Sequence, residues 1–322
     1  MTNQTDNAVF SEPLSIVKRK NPFYKKIINA WQLYLLLLVP VIYLLIFAYY
    51  PMLGAQIAFK DYSPNLGIWW SEWVGLKYFV RFFGSYQFWQ IISNTLFVSF
   101  YTLAVSFPFA IMLALALNCV KKKRLKSFAQ TITYLPHFIS VVVLVGMMFQ
   151  MFNPIAGVFG TVFRSLTGSE APNIMGAPTA FFHMYAWSNV WQHMGWDSII
   201  YIAALSAVEQ SLYEAAQIDG ASRWKMIWTI DLPSILPTIV IMLILKSGQI
   251  MNIGVEKTLL MQNDLNIRLS EVISTFVYKQ GLGAVANYSY ATAIGLFNSI
   301  INFVLIMTVN KISQKVGESS LW

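Results

Sequence analysis

Six stretches of the chain are apolar and nearly free of charge, and shorter segments rich in lysine and arginine separate several of them. A helix needs about 20 mostly apolar residues to cross a bilayer. The stretches at 31–50, 91–118, 127–150, 179–208, 234–255 and 290–309 meet that length. The fourth carries one charge, Asp197, and the fifth carries Lys246. Lipid offers no partner to backbone N–H and C=O groups, so each stretch is predicted as a helix that satisfies its own. The expected fold class is an all-α integral membrane protein with six transmembrane helices.

Composition agrees and sets the surroundings. Hydrophobic residues make up 57% of the 322, charged residues only 11%, and mean hydropathy is +0.55. A soluble domain carries roughly 25% charged residues, so this surface belongs in lipid. The formal charge of +8 suggests nucleic acid only where a basic face is clustered on a soluble module. Here the cations flank apolar stretches, which excludes that partner and supplies an orientation signal instead. Dense groups lie at 18–26 and 121–126, with Arg223, Lys225, Lys311 and Lys315 on the same side. The other side holds Lys60, Lys77, Arg81, Arg164, Lys257, Arg268 and Lys279. The excess places both termini in the cytoplasm. About thirty mostly polar residues precede the first apolar stretch, so a cleaved signal peptide is not expected. One cysteine, Cys119, excludes an intramolecular disulfide.

The expected organisation is a cytoplasmic N-terminal segment at 1–30, a first helix and external loop at 31–90, a core at 91–310, and a cytoplasmic tail at 311–322. The external part of 51–90 is rich in aromatics (Trp69, Trp70, Trp73, Tyr78, Phe82, Phe83), which suggests an interfacial helix or scaffold on the membrane surface. Residues 153–178, with their glycines and prolines, read as a turn-rich connection.

The loop at 209–233 has legible local physics. Ser211 followed by Glu214 has capping-box spacing, which predicts a short helix starting there. Gly220 is placed to end it in the left-handed conformation. A second helical piece over 222–230 precedes Pro233 and the fifth span. Glu214-Ala215-Ala216, then Gly220, Ile230 and Leu232-Pro233 at their spacings resemble the EAA signature of the permease subunits of bacterial binding-protein-dependent ABC importers. The likeness runs through Asp219 to Trp224 and, from the fourth span onward, is similar to the carbohydrate-importing branch. It implies the type I importer permease fold. It also implies a coupling helix in which Glu214, Ala215, Ala216, Asp219, Gly220 and Arg223 dock on an ATP-hydrolysing subunit. The implied partners are a second, non-identical permease, a dimer of ATPase subunits that hold ATP and Mg, an extracytoplasmic solute-binding protein and an oligosaccharide. The implied location is the bacterial cytoplasmic (inner) membrane.

Polar residues inside spans are candidate solute contacts. At 100° per residue, Tyr185, Asn189, Gln192, His193 and Trp196 share a face of the fourth span, with Asp197 at its edge. Lys246 and Gln249 share a face of the fifth, and Asn252 follows. Such residues also lock helices together. A cation at Lys246 would favour acidic sugars of the alginate or pectin type. No GxxxxGK[ST] loop occurs, so the chain is not expected to hydrolyse ATP. His137, His183 and His193 have no metal-ligand spacing with cysteine. The alternatives are a permease for another solute, such as a peptide, or a secondary transporter or channel.

Overall fold

A computed structural model describes residues 30–283 and 286–316. The basic cluster at 18–26 and residues 317–322 lie outside the described residues. The chain divides into two compact units, Met1–Gly54 and Ala55–Trp322. In the first, helix α1 (Trp31–Leu44) continues through a π-helical turn, Leu45–Tyr49. Pro51 cannot donate to the preceding turn, and a widened turn accommodates that loss. The side chains of α1 are exposed, as suits a helix whose solvent is lipid.

The second unit opens with a small two-stranded fold in the segment where an interfacial helix or scaffold is expected. Strand β1 (Lys60–Asp61) pairs antiparallel with β2 (Glu72–Trp73). Lys60 is buried, donates to the carbonyls of Ile68 (2.7 Å) and Trp69 (3.3 Å), and stands 4.8 Å above the Trp73 ring. Asp61 accepts from the Tyr78 hydroxyl (2.7 Å) and from Lys77 (3.0 Å). Those two donors, the tyrosine first, hold its carboxyl below the usual carboxylate range. The helix Lys77–Phe83 buries Tyr78 and Phe82, and Phe82 meets Phe297 edge-on at 5.6 Å. Tyr78 and Phe82 thus join a core, while Trp69, Trp70, Trp73 and Phe83 stay exposed. The turn-rich connection also holds a helix, Val158–Thr167.

The remaining helices build the membrane core. They are α2 (Phe88–Cys119), α3 (Lys123–Tyr134), α4 (Val141–Met151), α5 (Pro178–Ser206), α6 (Gln210–Ile218), α7 (Arg223–Ser247, with a π turn at Ile227–Asp231), α8 (Val255–Met261) and α9 (Tyr288–Val316). Ala110 and Ala114 of α2 pack with Tyr201 and Leu205 of α5 and Ile235 of α7. Small residues there let the helix backbones approach. The third apolar stretch is not one straight helix. It bends by 98° between α3 and α4. The chain tightens into a 3-10 turn at Leu135–Phe138, Ile139 and Ser140 leave the helix in extended backbone, and Ser140 restarts it by accepting from the Val143 N–H. α5 wedges against this bend. Cβ on Gly195 would lie 2.0 Å from the Thr133 carbonyl oxygen, so only glycine admits that approach.

Among the described residues, four helices are long and apolar enough to cross a membrane, and the bent pair makes a fifth crossing if taken as one. α5, with 29 residues, has the length. Asn189, Gln192, His193 and Asp197 interrupt its apolar sequence.

Candidate functional site: a polar cavity and a short helical elbow

α2, α5, the end of α7 and the segment leading into α8 enclose a cavity of about 580 Å³. Seven of the nine residues singled out in the sequence line it: Tyr185, Asn189, Gln192, His193, Lys246, Gln249 and Asn252. Trp196 and Asp197 do not. The Trp196 ring stacks on His137 with centroids 4.3 Å apart and planes 3° from parallel. Asp197 accepts from the Lys246 ammonium at 2.5 Å. The Lys246 charge is therefore matched within the protein.

Other lining residues do structural work as well. Gln192 is buried and donates to the Ile139 carbonyl (2.8 Å), which the bend between α3 and α4 leaves without a helical donor. Asn252 donates to Gln249 (2.6 Å) and accepts from Asn298 (3.2 Å) and Asn302 (3.0 Å) on α9. This amide cluster joins the end of α7 to α9.

The cavity also contains groups that the sequence reading missed. Ser99 and Thr102 of α2 line it, and their hydroxyls, like Nδ1 of His193, are buried without a protein partner. Unpaired buried polar atoms are rare. All three residues belong to the cavity lining, so polar side chains of α2 and α5 meet there. The 3- and 4-residue spacing of Ser99, Thr102 and Ser106 marks one face of α2 and was available in the sequence. Lys257 lines the cavity too, although it reads as a loop residue.

The second site is the elbow of α6 and the start of α7. The helix begins at Gln210, earlier than expected, because the capping box does not form. Ser211 turns its hydroxyl back to Glu209 (3.3 Å) instead. The end is as expected. Gly220 has φ +71°, its N–H reaches the Gln217 carbonyl, and the Ala221 N–H reaches that of Ala216 (2.9 Å). These two bonds form the Schellman closure. The second piece is not separate from the fifth span: Ser222 caps it, and it runs through the π turn into α7. Pro233 follows that turn, as its missing N–H requires.

Glu214, Ala215, Asp219, Gly220 and Arg223 are exposed and Ala216 is half-buried. None of the ion pairs among the described residues involves this elbow. Ile218 is 87% exposed and Trp224 73%. Beneath this surface a buried carboxylate joins three elements. Asp231 of α7 accepts from the Tyr213 hydroxyl of α6 and from Asn118 (3.2 Å) at the end of α2. Burial, and then the bond to Asp231, push the Tyr213 phenol up to about 12, so it remains a donor at every physiological pH.

A family model described as "Binding-protein-dependent transport system inner membrane component" matches residues 106–318. Protein LplB of Bacillus subtilis (strain 168) is 42% identical over 290 residues, covering 90% of this chain and 91% of that protein. The polygalacturonan/rhamnogalacturonan transport system permease protein YteP of the same organism is 40% identical and covers 92% of each. A solved chain from a bacterial alginate ABC transporter, in complex with an alginate pentasaccharide-bound periplasmic protein, superposes with a TM-score of 0.85. It is 37% identical and covers 93% of this chain and 99% of that one.

Proposed function

We infer the function from a plain membership: the chain belongs to the binding-protein-dependent transport system inner membrane components, the membrane-spanning permeases of ABC importers. It is a permease subunit of the bacterial cytoplasmic membrane with the type I importer fold. With a second, non-identical permease it forms the translocation path for an oligosaccharide delivered by an extracytoplasmic binding protein. The permease and alginate-transporter relatives handle polysaccharide fragments, which supports this solute class. A dimer of partner ATPases supplies the energy, and both termini and the elbow face the cytoplasm.

In this reading the elbow is the coupling device. Glu214, Ala215, Ala216, Asp219, Gly220 and Arg223 dock on the ATPase. The Tyr213–Asp231–Asn118 clasp carries its displacement to α7 and α2. The solute path is the polar cavity, and Tyr185, Asn189, Gln192, His193, Gln249 and Asn252 line it. Trp196, Asp197 and Lys246 brace its walls. The observation that carries the path is the cavity of about 580 Å³ itself, lined by amide, hydroxyl and imidazole side chains from α2, α5 and the end of α7. A sugar presents hydroxyls at close spacing that suit them, and the Tyr185 ring offers an apolar face for stacking.

The test is reconstitution of the purified transporter with its binding protein. ATP-dependent oligosaccharide uptake is expected, and Asn189→Trp, which fills the cavity, is expected to stop uptake while the complex stays assembled. Recovery of the chain without any ATPase subunit, with uptake independent of ATP, overturns the reading.

A further inference from the structure

Lys257 has a position that the coupling and path described above do not explain. It sits on α8 with only 6% of its surface exposed, and it lines the cavity. Its ammonium donates to the Tyr185 carbonyl (3.1 Å) and lies 4.5 Å from the centre of the Tyr185 ring. No carboxylate among the described residues pairs with it. The two cations of this cavity therefore differ. Lys246 is neutralised by Asp197 at 2.5 Å, whereas Lys257 has a carbonyl dipole and a ring face. Glu256 lines the same cavity but is exposed and forms no ion pair with its neighbour.

A buried ammonium without a counter-charge is destabilising and is seldom kept unless it meets an anion or a dipole. An ammonium has three donors, and the Tyr185 carbonyl takes one. Lys257 lines the cavity together with the polar residues Ser99, Thr102, Asn189, His193 and Gln249. A guest that satisfies this wall brings hydroxyls and one negative charge.

We propose that Lys257 is the specificity-determining residue that reads a carboxylate of an acidic oligosaccharide as it passes through the cavity. The assignment rests on the cavity being the solute path, and it deepens that reading by naming the solute class: uronate-containing oligosaccharides in preference to neutral ones. The charge-assisted bond forms in a site shielded from water, where it is stronger than at a surface. The exposed Glu256 at the cavity edge disfavours a second carboxylate close by, which spaces the charges of the passing chain.

The test uses the complete transporter in proteoliposomes, with its binding protein and tetragalacturonate. Lys257→Gln keeps a donor but removes the charge, and it is expected to lower tetragalacturonate uptake at least tenfold. ATP hydrolysis stimulated by the binding protein should stay within twofold of the parent. Lys257→Arg is expected to restore most of the uptake, because a charge and not a shape is required. Uptake at the parental rate in Lys257→Gln overturns the assignment, and so does an Arg variant as defective as the Gln variant. A second measurement needs no variant. Tetragalacturonate, but not its methyl ester, should protect Lys257 from reductive methylation in the parental complex, and equal labelling with both overturns the proposal. Asn189→Trp separates the two readings. If it leaves uptake unchanged, the cavity is not the path. If it stops uptake while Lys257→Gln does not, only the role of Lys257 falls.

Discussion

Tyr213→Phe is the sharpest probe of how the elbow moves the membrane helices. The substitution removes one hydroxyl and leaves the ring, so the packing of α6 on its neighbours is retained. What it takes away is the stronger of the two side-chain donors to Asp231, a carboxylate only 3% exposed. The bond to Asn118 at 3.2 Å is all that remains of the clasp. A hydrogen bond to a charged group contributes about 1.5–3 kcal/mol, and the lower end of that range corresponds to roughly tenfold in an equilibrium constant. If the elbow and α7 move as one body because of this clasp, that factor appears as slippage between ATPase closure and helix movement. The assay is the number of solute molecules taken up per ATP hydrolysed in proteoliposomes. Tyr213→Phe should hydrolyse ATP in response to the loaded binding protein yet transport about tenfold less per ATP. Asp231→Asn should behave in the same way. A Tyr213→Phe transporter with the parental stoichiometry refutes the reasoning, because the clasp would then be packing alone.

Three further outcomes follow from the geometry. Gly220→Val forces a β-branched residue to φ +71°, at a cost of about 1–2 kcal/mol; co-purification of the ATPase should fall, and Gly220→Asn should fall less. Gly195→Ala puts a methyl group 2.0 Å from a backbone oxygen of α3, so assembled complex recovered from membranes should drop sharply, while Ala186→Gly on the same helix should be far milder. Asp197→Leu leaves the Lys246 ammonium unpaired, with a loss of about 3–5 kcal/mol if the site behaves as fully buried; Lys246→Met added to it should recover most of the thermal stability, and additive losses in the double variant would refute the pairing.

Much of this arrangement can be read from the chain, and the misses have definable causes. Apolar stretches of the right length became long helices because lipid leaves the backbone no other way to satisfy its bonds. Seven of nine candidate contacts met on one cavity because polar residues on a buried helix face have nowhere else to go. The third stretch kept its length and lost its straightness at Ile139 and Ser140, a break whose angle depends on the partner helix. Asp197 and Lys246 found each other, which their positions on separate helices do not reveal. Lys257 was missed for a topological reason. After Ser247 the chain turns into α8, which packs against α4 and reaches Tyr185 of α5 through Lys257, so a residue that counts as loop by hydropathy ends up in the cavity wall. The aromatics of the external segment were ambiguous from the start, since a ring that anchors at an interface and a ring that packs in a core have the same composition. Contacts with residues more than two hundred positions away, such as Phe82 with Phe297 and Tyr78 with Tyr290, decide between them.

The bend in the third apolar stretch also constrains how the protein is made. α3 has 12 residues and α4 has 11, so at 1.5 Å per residue each is about 18 Å long or less, against a hydrocarbon layer of about 30 Å. Neither half crosses by itself, and the Ile139 carbonyl between them has no helical donor. Both remedies reside on α5: the Gln192 amide that meets that carbonyl, and the Gly195 cleft that receives the Thr133 backbone. Yet α5 leaves the ribosome later. The bent segment must therefore wait, straight or shielded beside the insertion machinery, until α5 arrives. The order of synthesis makes the 123–151 segment the point at which a stalled or truncated chain is most exposed to degradation.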